Sequence, residues 1–141
     1  MRISLGASDL SKEVFSYNDL STGQTDLSLS AFSLAQDTID FNPCFKRNSA
    51  INPAIKLMAS PWSSPVWMKD NKSSKGGKLL KEYFGVYANY FVKYIQKMQQ
   101  LGIAIDAVTI QNEPMNPDNK SEFKNGALEQ ADFIKNHLGC I

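Results

Sequence analysis

The chain has 141 residues, with 15 Lys and Arg against 14 Asp and Glu for a net charge of +1. That length suits one compact domain burying about two thirds of its unfolded surface, and the near-neutral balance leaves no electrostatic footprint for nucleic acid or an anionic membrane. No apolar run approaches the ~20 residues of a membrane span, and the N-terminus lacks the charged, apolar and small-residue regions of a signal peptide, Met1 opening directly onto strand-like sequence.

In chain order, residues 2–7 (Arg-Ile-Ser-Leu-Gly-Ala) read as a short strand with Ser8 and Asp9 at its end. Residues 11–40 are rich in Ser, Thr, Asp and Gly, which predicts a surface loop; connections beyond ~15 residues are uncommon and often functional. A short helix is expected over 41–51, then a second strand over 55–59 that stops at Ser60-Pro61-Trp62. The clearest helix spans 79–101. There Tyr83, Phe84, Tyr87, Tyr90, Phe91, Tyr94, Ile95, Met98 and Leu101 recur at three- and four-residue steps, with Lys81, Lys93, Lys97 and Gln99 mostly on the other face. This aromatic stripe is expected to pack on a sheet rather than hold a cofactor, and Gly102 supplies the stop.

Ile103, Ile105, Val108 and Ile110, with Ala104 and Ala107, make a nearly continuous β-favouring run, suited to a parallel strand buried on both faces. Pro114 ends it. A residue before proline is pushed out of the helical region, so Glu113 is expected to stay extended and project from the strand end. A last amphipathic helix is expected over 128–138, closed by Gly139.

Three strands alternating with helices predict an α/β fold with a parallel sheet and right-handed crossovers. Asp9, Trp62 and Asn112-Glu113 all follow strands, so they gather at one end of the sheet, where parallel α/β folds build their sites. No glycine-rich phosphate loop follows a strand, and Gly76-Gly77 lacks the spacing of one. Cys44 and Cys140 stand apart from any Cys/His cluster, so no metal or cofactor is expected. The single histidine, His137, falls near the end of a helix, where contact with the helix C-terminus is expected, and Ser-His-Asp and Cys-His chemistry are set aside.

A carboxyl on rigid backbone that still faces solvent is the placement a general acid needs; the plain alternative is a glutamate that simply faces water. Glycosidases require such an acid, together with a second carboxylate across the anomeric carbon. Glu113 suits the first role, and Asn112 suits a hydrogen bond to the sugar 2-hydroxyl. Trp62 offers an apolar face to a pyranose and an indole N–H to a hydroxyl. Asp9 offers two oxygens to neighbouring hydroxyls, unless it makes an Asx-turn or helix cap. Trp67 reads first as core and second as a site wall, and Lys69 as a solvated lysine after a turn.

The stretch Ala59-Ser60-Pro61-Trp62-Ser63-Ser64-Pro65-Val66-Trp67-Met68-Lys69, together with Gln111-Asn112-Glu113-Pro114, resembles glycoside hydrolase family 30, the glucosylceramidase and β-1,6-glucanase group of retaining enzymes. Gly6-Ala7-Ser8-Asp9 with the later Phe32-Ser33-Leu34 is similar to the second strand and loop of that family, and Ser4 departs from it where many relatives have proline. The likeness runs over nearly the whole chain. It implies a retaining, glucosylceramidase-like (β/α)8-barrel glycosidase acting on a β-linked glucoside or related sugar, with β-1,6-glucanase as an alternative, Glu113 as acid/base, Asn112 at the 2-hydroxyl, and Asp9 and Trp62 in the subsite before the scissile bond. It also implies a carbohydrate or glycolipid substrate and a secreted, periplasmic or lysosomal setting for the parent protein.

A barrel needs eight strands and ~250 residues. Residues 1–141 are therefore expected to form a partial (β/α)8 catalytic domain, strands 2 to 4 by resemblance, without the nucleophile. Glu13, Glu82, Glu122 and Glu129 all fall on loops or helices, so the chain is not expected to complete a double displacement alone. Two unpaired strand edges and an open apolar interior are expected, with the missing barrel strands as the natural partners. The rival from another class is a non-catalytic sugar-binding or assembly module; another barrel glycosidase, such as a xylanase, is a third reading.

Overall fold

The computed structural model describes residues 1–39, 41–114 and 127–139. Three strands, β1 (Arg2–Leu5), β2 (Met58–Pro61) and β3 (Ala107–Val108), form a parallel sheet in the order β1-β2-β3. Arg2 pairs with Met58 and Ile3 with Ala59; Met58 and Ala59 pair in turn with Ala107 and Val108. Between them run α1 (Ala35–Ile39), α2 (Phe41–Ile51) and α3 (Phe84–Gln100), and α4 (Ala127–Phe133) follows β3. The strands and the helices α2, α3 and α4 come in the order the sequence predicts, whereas α1 lies within the stretch read as a surface loop. No helix among the described residues is long and apolar enough to cross a membrane.

Parallel pairing puts the side chains of facing positions on the same side of the sheet. One side carries Ile3, Leu5 and Ala59, all buried, with Ile110 continuing the same layer. The other carries Arg2, Ser4 and Ser60, with Met58 and Ala107 at its lower end. The open face is thus largely polar, which corrects the expected apolar interior. The third strand is also shorter and less covered than its apolar run predicts. Ala107 is exposed and Val108 half-buried because β3 is an edge of this sheet, and Ile103 is drawn into the end of α3 instead.

Helix α3 is the spine of the core. Phe84, Tyr87, Ala88, Tyr90, Phe91, Tyr94 and Met98 are all buried along its apolar stripe, the core packing its periodicity predicts. Its end is a Schellman motif: the Gly102 N–H donates to Gln99 O at 2.9 Å and the Ile103 N–H to Met98 O at 2.9 Å. Gly102 sits at φ +79°, a conformation open to glycine at little cost, and Ile103 and Met98, both fully buried, close the motif. Phe133 of α4 packs edge-on against Phe84 with ring centroids 5.5 Å apart. Helix α4 runs into a π-helical turn, Ile134–Leu138, where His137 lies edge-on to Phe84 at 5.4 Å.

The polar loop between β1 and α1 is more than the surface connection expected. Tyr17, Leu29, Phe32 and Leu34 are buried core residues, and Tyr17 stacks on Tyr94 with centroids 5.5 Å apart. Asp26 permits this by satisfying the loop's polar groups. It accepts from the Ala31 N–H at 2.8 Å, Asn18 Nδ2 at 3.0 Å, Ser28 Oγ at 2.9 Å and Ser30 Oγ at 3.1 Å. These donors, the Ala31 amide foremost, hold its carboxyl far below the usual carboxylate range. Strand β2 begins later than expected because Asp106 caps the residues before it, accepting from the Leu57 N–H at 2.8 Å and from Lys56 Nζ at 2.9 Å.

Candidate active site

Because the strands are parallel, the segments after Leu5, Pro61 and Val108 leave the sheet at the same end. Asp9, Trp62 and Asn112-Glu113 follow those three exits. The first turn needs Gly6, at φ +80°, since a Cβ there would meet Phe15 O at 3.2 Å. Asp9 is exposed and its carboxylate engages no donor among the described residues. Ser8 makes the local turn bond instead, its Oγ accepting from the Leu10 N–H at 3.2 Å.

The β3 exit is tied to the β2 exit. The Asn112 N–H donates to Pro61 O at 2.8 Å, prolonging the pairing past the last strand residue. Asn112 is buried, and its Oδ1 accepts from the Arg2 guanidinium, which also donates to Ser60 Oγ at 3.0 Å. Ser60 Oγ in turn shares a 2.6 Å hydrogen bond with Thr109 Oγ1. One cation from β1 thus orients the Asn112 carboxamide, leaving its Nδ2 end for other partners. Sequence reasoning missed Arg2. The available signal was a charged residue opening a strand otherwise fit for burial.

Glu113 is exposed, but it is not extended: its φ is +45°, in the left-handed region. The expectation drawn from the following proline is corrected here. Once Asn112 has paired with Pro61, the chain must turn sharply off the sheet at the next residue, and the left-handed conformation makes that turn. For a non-glycine residue it costs of order 1–2 kcal/mol, the kind of local strain that concentrates at functional positions.

Trp62 is half-buried, and its indole N–H meets no acceptor among the described residues. Trp67, in contrast, is buried within the 3-10 turn Val66–Met68. Its indole N–H is shared by Asn18 O and Asn18 Oδ1, both at 3.0 Å, and its ring sits edge-on to Tyr83 at 5.2 Å. That placement matches the core reading weighed for it. Lys69 is a correction, being fully buried rather than solvated, with its Nζ donating to Ser63 Oγ at 3.3 Å. It pairs by an isolated antiparallel bridge with Leu79, which brings the segment after the turn back alongside it.

Among the other glutamates, Glu13 lies on a loop, Glu82 in the 3-10 turn Lys81–Tyr83 and Glu129 on α4. None sits at a strand end. Glu122 and Cys140 lie outside the described residues, and Cys44 is an exposed free thiol on α2. Among the described residues no group of three or more His, Cys, Asp or Glu is placed to hold a metal ion.

Comparison with known proteins agrees with this architecture. A profile described as the glycosyl hydrolase family 30 TIM-barrel domain matches residues 1–141. The chain belongs to glycosyl hydrolase family 30. It is 39% identical over 147 residues to an endo-1,6-beta-D-glucanase of Neurospora crassa, covering 99% of this chain and 30% of that protein. It is 34% identical over 121 residues to the lysosomal acid glucosylceramidase of Mus musculus, covering 81% of this chain and 23% of that protein. A solved endo-beta1,6-glucanase superposes with a TM-score of 0.86 at 37% identity, over 99% of this chain and 31% of the other. The chain therefore spans 23–31% of the length of these family 30 relatives, and its three-stranded sheet is part of a TIM barrel.

Proposed function

We propose that this part of a family 30 protein carries the acid/base and the glycone side of a retaining β-glycosidase. The observation that supports it best is the exposed Glu113 carboxyl at a strand exit, next to an Asn112 carboxamide held by Arg2. Protonated Glu113 donates to the glycosidic oxygen as the bond to the anomeric carbon breaks, and the carboxylate then takes a proton from the water that completes hydrolysis. Asn112 binds the 2-hydroxyl, where a hydrogen bond strengthens as charge develops on the ring. Trp62 supplies an apolar platform and Asp9, with both oxygens available, binds a pair of hydroxyls.

Retention requires a nucleophilic carboxylate ~5 Å from the acid. Besides Glu113 the strand exits described here offer only Asp9, which this reading gives to hydroxyl binding, so the nucleophile is assigned to a barrel strand beyond these three. For substrate, β-1,6-glucan is preferred over glucosylceramide, because the Neurospora glucanase matches at 39% over 99% of the chain and the mouse glucosylceramidase at 34% over 81%.

The test is Glu113→Gln in the full-length protein, assayed on β-1,6-glucan oligosaccharides, glucosylceramide and aryl β-glucosides. Glycosylation should slow by about 100-fold or more for alkyl or sugar leaving groups and far less for activated aryl ones, because only the former need a proton. Equal losses on both classes would remove Glu113 from the role. Sugar binding with no hydrolysis of any β-glucoside by the unaltered protein would favour the non-catalytic module.

A further inference from the structure

Two buried polar side chains flank Trp62, one on each side of its backbone segment. Gln111 is 7% exposed; its Nε2 donates to Trp62 O at 3.0 Å and to Asn112 O at 3.2 Å. Its Oε1 is buried with no hydrogen-bond partner among the described residues. On the other side, the fully buried Lys69 holds Ser63 Oγ, which itself donates to Ser64 O at 2.9 Å. Burying a half-satisfied carboxamide is expensive, and a leucine at 111 would fill the space without that penalty.

We propose that Gln111 and Lys69 are positioning residues that fix the backbone at residues 62–64, so that the half-exposed Trp62 indole stands preorganised for a sugar face. Gln111 also grips the carbonyl of Asn112, so the same carboxamide sets the spacing between the platform and the segment that bears Glu113. An amide is required at 111 because both of its contacts are carbonyl oxygens, which need donors. An ionised carboxylate there would face two acceptors and repel them; a protonated one would donate to one of them. Only the identity of the ligand rests on the glycosidase reading.

The chain has two tryptophans, at 62 and 67, and Trp67 is shielded, so acrylamide quenching of fluorescence can follow Trp62 once each variant is paired with its Trp62→Phe counterpart. Gln111→Leu should raise quenching of the Trp62 signal about twofold while the Trp67 signal stays fixed, as expected when the contact holding a partly open segment is lost. Lys69→Met should act in the same direction. Gln111→Glu should approach the unaltered protein at acid pH, where its protonated carboxyl donates to one carbonyl, and the leucine variant once it ionises, a step that burial between two acceptors moves above the range of a free glutamate. This comparison of one variant with itself decides the matter even if the leucine variant does not fold.

In the full-length enzyme, Gln111→Leu should raise KM about tenfold with a smaller change in kcat, since lost preorganisation is taken from binding. A Trp62 signal indifferent to both Gln111 variants, or one that moves only together with Trp67 and the melting temperature, would overturn the proposal. If the indole responds as stated but no β-glucoside is hydrolysed by the unaltered protein, the hydrolase reading fails and the positioning role stands. If hydrolysis is found and the indole does not respond, the reverse holds.

Discussion

Two tyrosines on one face of α3 should respond in opposite directions to the same one-atom deletion. Tyr90 and Tyr94 are both fully buried, four residues apart, and both stack on Tyr17. The Tyr90 hydroxyl accepts the Tyr17 N–H at 3.0 Å, whereas the Tyr94 hydroxyl has no hydrogen-bond partner among the described residues. In Tyr90→Phe the Tyr17 amide is left buried without an acceptor, at a cost of about 1–3 kcal/mol. In Tyr94→Phe the desolvated oxygen disappears while the ring keeps its 5.5 Å stack, so stability should rise by about 1 kcal/mol. With an unfolding entropy of about 2.1 cal/mol/K per residue, a cooperative unit of 141 residues shifts its Tm by roughly 3 °C for each kcal/mol. Tyr94→Phe should therefore melt about 3 °C higher and Tyr90→Phe about 3–9 °C lower. Thermal melts checked by urea unfolding at a common slope would measure both. Equal destabilisation by the two variants would show that the Tyr94 hydroxyl is not the unsatisfied group its contacts indicate.

On the proposed function, Arg2→Met in the full-length protein should lower kcat/KM by about 10- to 100-fold, the worth of a charge-assisted hydrogen bond, through loss of the grip on Asn112. Activity unchanged within twofold would relegate that contact to structure. Asp37 predicts a pH dependence of stability. Burial raises its carboxyl above the ordinary value, with the Tyr17 hydroxyl, 2.5 Å away, opposing in part. The native state thus holds this proton more tightly than the unfolded chain, so the group favours folding most below the usual aspartate range and loses that contribution as pH rises through its raised native value. Relative to wild type, Asp37→Asn should gain stability over that interval and then level off. A difference that is flat, or that grows in the acid direction, would refute the assignment of burial as the dominant cause.

How much of this was legible in the amino-acid order follows from what periodicity reports. The α3 stripe, the Gly102 stop and the alternation of strand with helix are local patterns, each set by which side of one element faces the core. The gathering of Asp9, Trp62 and Asn112-Glu113 at one sheet end needs only parallel strands, which the helical connections already dictate. The residue types at those exits also carried the family resemblance over the full chain.

Other features arise only when distant segments meet. Arg2 holds Asn112 across 110 positions of chain, and that contact depends on the register of three strands, which no single segment encodes. Lys69 is buried in a segment that bridges back to Leu79, and the polar loop enters the core because Asp26 satisfies its donors in place of water. Glu113 takes a left-handed turn against the tendency of a residue before proline, because Asn112 is pinned to Pro61 and the chain has to leave the sheet there. Local preference is worth about 1–2 kcal/mol per residue at such positions, so packing and hydrogen-bond satisfaction across the fold decided each of them.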